Sequence, residues 1–147
     1  MKDFLLRKFE IEYNSIQSLI RSIEDQEEQI PEYSLKGISH IINVHHIWNC
    51  HLIGKKSESN VWDVFPVHFL QKLNTQNFQE TYDYIEKQEL NSTIHYVSKL
   101  VKSMETRSED VLFHILQHCS YHRGQIIQNM KTNRLKVPSN QFVQLAD

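Results

Sequence analysis

Apolar positions recur at helical spacing in four stretches of the chain. Between Asp3 and Glu24, Phe9, Tyr13, Ile16, Ile20 and Ile23 follow a 4-3-4-3 step, which puts them on one stripe of an amphipathic helix. A polar break, EDQEEQIPEY, follows, with Pro31 as punctuation. Ser34 then stands where it could cap a second helix reaching to about Gly54, with Ile38, Ile41, Ile42, His45, Trp48 and Leu52 facing inward. Gly54 followed by Lys55 and Lys56 reads as a C-terminal stop.

Residues 55–74 predict a long connection, opened by the polar KKSESN. The following WDVFPVHFL is expected to dock as a short helix or an irregular cover. A third helix fits Thr75 to Lys87, with Phe78, Tyr82 and Ile85 on one side. The stretch STIHYVSKLVKSMETRS admits two readings: a short hairpin, by its β-branched and aromatic content, or a further helix. Ser108 is the expected cap of a fourth helix running to about Lys131, with Leu112, Ile115, Cys119, His122 and Ile126 on its inner face. A short, Pro-punctuated tail extends from Thr132 to Asp147. No internal repeat or linker interrupts the pattern. The expectation is one all-α domain over residues 1–147, a four-helix bundle with a long crossover between the second and third helices.

Composition narrows this picture. Three glycines and three prolines in 147 residues favour helices over a turn-rich β fold. A net charge of -2 creates no field toward nucleic acid or anionic lipid. No apolar run approaches the roughly 20 residues needed to cross a bilayer, and MKDFLLRKFEIEY lacks the apolar block of a signal peptide. Cys50 and Cys119 stand alone, without CxxC spacing, as suits a reducing compartment. A cytoplasmic location is expected, with no nucleic-acid or membrane partner. No Gly-rich phosphate loop, Ser-His-Asp pattern or basic stripe is present.

The unusual count is histidine. Seven of nine fall in two stretches, 40–51 and 114–122. On the fourth helix His114, His118 and His122 stand at i, i+4 and i+8, so neighbours share a face. An i, i+4 pair can bring two imidazole nitrogens to about 2.0–2.1 Å from one zinc-sized ion. The outer two lie about 12 Å apart along the axis, so one pair must be chosen. His122 shares the apolar stripe and His114 sits nearer its edge, which favours 118 and 122. The second helix offers His40, His45, His46 and His51. By angle His45 points deepest and His40 lies at the margin, so periodicity leaves a third ligand open.

The segment His118-Cys-Ser-Tyr-His122-Arg-Gly-Gln125 resembles the HxxxHRGQ signature of the DinB/YfiT-like family. In HIINVHHIWNCHLIG the positions of His40, Trp48 and Gly54 resemble that family's other marker, a ligand histidine eight residues before a tryptophan, with a glycine soon after. The resemblance covers nearly the whole chain. It implies that His40, His118 and His122 hold a divalent ion, zinc or nickel, in a site opening to a cleft. It also implies an up-down bundle with an unusual crossover, a hairpin over IHYVSKLVKSMET, and a homodimer. Some such relatives transfer or isomerise substrates with a low-molecular-weight thiol. The tail VPSNQFVQLAD departs from the family's acidic or Thr-Asp ending.

Three neutral imidazoles leave at least one coordination position open, the pattern of a catalytic site. There a cation lowers the pKa of a water or thiol. The expected activity is that of a metal-dependent hydrolase or thiol S-transferase acting on a small electrophile. The alternatives are a non-catalytic metal-binding or stress-response module, and a helical dimer without metal. Gln125 and Arg123 are candidates to support the ligands, Arg123 equally for a plain salt bridge. Gly124 either permits close packing or is merely tolerated, and Tyr121 is either a proton donor or a rim residue. His45 and His46 either line the pocket or serve packing and hydrogen bonding. His51, His68, His95 and His114 are read as structural, Trp48 and Trp62 as core anchors, and Cys119 as a small buried hydrophobe.

Overall fold

The structure, a computed structural model, describes residues 1–98 and 100–138. Four α-helices, α1 (Lys2–Glu24), α2 (Glu32–Leu52), α3 (Leu70–Lys87) and α4 (Ser108–Thr132), are joined by a two-stranded antiparallel sheet, β1 (Thr93–Val97) and β2 (Ser103–Arg107), ahead of α4. The stretch with two readings is therefore a hairpin. Its register pairs Thr93 with Arg107 and Val97 with Ser103. No helix among the described residues is long and apolar enough to cross a membrane.

Packing follows the stripes. Phe9, Ile16, Ile20 and Ile23 of α1 are fully buried, as are Ile38, Ile85 and Leu112 on the other helices. Tyr13 is half-buried; its hydroxyl lies 3.0 Å from Thr75 Oγ1. Side-chain pairs give the directions. Gln17 meets Asn74 and Glu24 meets Gln71, so α1 and α3 run antiparallel. Ser34 meets Asn129 and His40 meets His118, so α2 and α4 are antiparallel too. Ile42 meets Asn77 and Asn49 meets Thr81, making α2 and α3 parallel neighbours. Parallel neighbours cannot be joined by a tight turn, which accounts for the long connection from 53 to 69.

Both serine caps are overturned. Pro31, extended at φ −60° and ψ 145°, already starts α2, so Ser34 lies within the first turn. Its hydroxyl instead donates to Asn129 Oδ1 at 2.8 Å, tying α2 to α4. Ser108 is the first residue of α4, with Arg107 in the cap position. The orphan amides of Ser108 and Glu109 donate to the carbonyls of Ser92 and Leu90, so backbone takes the place of a capping side chain. The third helix starts at Leu70, five residues before Thr75, after a 3-10 turn over Val67–Phe69. Its first turn is anchored by Leu70, fully buried, and Leu73, and is tied to α1 by Gln71 and Asn74. The stop at Gly54 holds. With φ +68°, its amide donates to His51 O while Lys55 N reaches back to Cys50 O, a Schellman closure.

Candidate metal centre

Midway along α2 and α4, three imidazoles converge. One ring nitrogen each of His40, His118 and His122 lies within 4.8 Å of the other two. His40 Nε2 and His118 Nε2 are 3.1 Å apart, and two nitrogens on one tetrahedral zinc ion stand about 3.3 Å apart. Close approach of the helices makes this possible. Gly37, one turn before His40, lets Ile126 of α4 press so near that an added Cβ would meet its Cγ1 at 2.8 Å.

The second nitrogen of two rings is spoken for. His40 Nδ1 lies 2.7 Å from the carbonyl oxygen of Val61, and His122 Nδ1 lies 2.9 Å from Gln125 Oε1. Both partners only accept, so each ring carries its proton on Nδ1 and presents Nε2 as a base. That is how metal-binding histidines are usually oriented. His118 is pushed down to about 3, first by burial and then by the neighbouring imidazoles of His122, His40 and His114. His122 is lowered as well, again mainly by burial. His118 and His122 are therefore neutral bases near pH 7, and a three-imidazole donor set of this kind could hold a metal ion.

The connection between α2 and α3 closes over this cluster. Asn43 Nδ2 donates to Asp63 O at 2.8 Å, and Phe65 N donates to Ser39 Oγ at 3.1 Å. These latch residues 61–65 along α2. Trp62 stacks on His40 with ring centroids 4.0 Å apart and planes 12° from parallel, while 58% exposed. The expectation of a core anchor fails for Trp62, because its connection reaches the core through Phe65 and Val67 instead. Trp48 keeps that role, half-buried against the core and touching His114, His51 and Tyr96.

The remaining histidines separate cleanly. His45 is buried but remote in purpose: its Nε2 lies 2.8 Å from Thr81 Oγ1, and its ring packs against Phe9 and Phe78. Burial holds it down to about 3. His114 turns to Trp48, and its ring lies farther from His118, at 5.9 Å, than His122's does, at 4.4 Å. His46 faces Cys50 Sγ at 3.5 Å, His51 packs on Trp48 and Tyr96, His68 lies against Phe69, and His95 meets Glu105. Arg123 makes a buried two-pronged bond to Glu12 at 2.9 and 3.1 Å, so the plain salt bridge is its role. Gly124 has open space around it and is merely tolerated, and Tyr121 is a rim residue, 65% exposed. Cys119 is fully buried, and burial raises its thiol pKa.

Sequence reasoning missed Val61, Gly37 and Glu12, and placed Trp62 in the core instead of on His40. A backbone carbonyl carries no residue signature, and only Glu12, a charge flanking an apolar stripe, could have been noticed. The tail motif beyond residue 138 lies outside the described residues. The chain matches no family model, no curated protein and no solved structure.

Proposed function

We propose that this protein is a metal-dependent, DinB/YfiT-like four-helix bundle whose crossover links α2 to α3. His40, His118 and His122 would hold one zinc or nickel ion, which would make a water or low-molecular-weight thiol more acidic for attack on a small electrophile. The supporting observation is the meeting of three imidazole nitrogens from two helices within 4.8 Å. The HxxxHRGQ resemblance and the acceptors on two Nδ1 atoms support the same reading.

When bound, the ion would supply Lewis-acid chemistry to a water or thiol beside it. The chain's own residues supply the rest. Val61 and Gln125 hold the ring protons away from the shared centre, and Trp62 shields one face of His40 from water. In this reading the protein is a cytoplasmic homodimer acting on small molecules, with no role for nucleic acid or membrane.

Elemental analysis of protein purified without a histidine tag tests the site. About one ion per chain is expected, and it should vanish in the His118→Ala/His122→Ala variant and in His40→Ala. Equal metal in wild type and variants removes the proposal. Turnover is tested by offering the loaded protein a panel of electrophiles with candidate thiols. Metal-dependent product is expected, whereas metal without turnover identifies a non-catalytic binding module.

A further inference from the structure

Beside Trp62 lies a groove of about 910 Å³ between the C-terminal end of α2, the loop that follows it, and β1. A volume in this range suits a metabolite-sized ligand. Its walls combine apolar surface from Ile47, Trp62 and Tyr96 with the amines of Lys55 and Lys56. No carboxylate lines it. Neither lysine forms an ion pair among the described residues. Of the acidic groups nearby, Glu105 faces His95 on the hairpin, Asp63 accepts from Asn60 N, Glu80 lies with Lys55 near Cys50, and the exposed Glu58 shares the lysines' loop without lining the groove. One end of the groove is the indole of Trp62, whose other contact is the His40 ring 4.0 Å away. Two ammonium groups beside an apolar slot that no carboxylate lines favour an anion with a hydrophobic body, because the charge is met at the rim and the body leaves water inside.

We propose that this groove binds a small organic carboxylate, its acid group at Lys55 and Lys56 and its apolar part between Trp62 and Tyr96, pointing toward the histidine cluster. Its meaning as a substrate site rests on the proposed metal function; the binding itself does not.

The test uses 4-phenylbutyrate and its uncharged counterpart 4-phenyl-1-butanol as probes, followed by amide chemical shifts on full-length protein with and without zinc. The acid should shift resonances of residues 54–62 and 95–98 saturably. Lys55→Glu/Lys56→Glu should weaken it at least tenfold while changing the alcohol less than twofold. Trp62→Ala should weaken both. Equal binding of acid and alcohol, an unaltered acid affinity in the double lysine variant, or no saturable shift in this region overturns the proposal. Zinc bound at one per chain with no groove binding sinks only the carboxylate site. Groove binding without zinc sinks only the metal reading.

Discussion

At the scale of single residues, two glycines sort by their surroundings. Gly124 meets nothing within 4 Å, so Gly124→Ala should gain the helix propensity difference, about 0.5–1 kcal/mol. Gly37→Ala must push Ile126 aside, and overpacking of about 1–3 kcal/mol outweighs the same propensity gain. Urea denaturation should therefore move the two midpoints in opposite directions. The Arg123–Glu12 pair carries a sharper expectation. Arg123→Leu leaves a buried carboxylate unpaired and should cost about 3–5 kcal/mol. Glu12→Leu/Arg123→Leu, which removes both charges, should recover much of that loss. Equal destabilisation of the single and double variants would show that packing, not charge, holds the site.

At the scale of elements, the connection from 53 to 69 matters more than its irregularity implies. It carries the chain to the start of a parallel neighbour and supplies a hydrogen bond and an aromatic ring to His40. Because Trp62 lies against that ring, nickel or cobalt added to the protein should quench its fluorescence. The quench should largely disappear in Trp62→Ala and persist in Trp48→Phe; a quench unchanged in Trp62→Ala would place the ion elsewhere. The hairpin acts locally in a similar way: Tyr96 reaches Trp48 and His51, and carbonyls just before β1 satisfy the first amides of α4.

For the whole molecule, buried neutral histidines tie stability to pH. His45 and His118 are held to about 3 when folded, against about 6.5 in the unfolded chain. Below pH 6.5 the unfolded state binds more protons, so stability is complete above that value and declines as pH falls toward 3. The slope approaches about 1.4 kcal/mol per pH unit for the fully buried His45 and is smaller for the partly exposed His118. The denaturation midpoint of metal-free protein should drop between pH 7 and pH 5, and less so in His45→Gln. A midpoint flat over that window would contradict the burial. The helices were legible in the sequence because their stripes bury whole faces, and the 118/122 pair because i, i+4 spacing fixes a shared face. The caps were not, since backbone groups set them, and the early start of α3 was obscured because Leu70 and Leu73 continue the apolar WDVFPVHFL segment without a break. Periodicity hid His40 behind His45, which points deeper by angle yet is consumed by Thr81, and only the motif resemblance singled it out.

The two acceptors behind the ligand rings differ in how they withstand genetic change. Val61 contributes an oxygen that every amino acid possesses, so codon drift at position 61 leaves the proton on His40 where it is. Gln125 contributes an oxygen that most replacements delete. Among variants of this chain, position 61 should therefore tolerate diverse residues while position 125 is confined to side chains that can still accept.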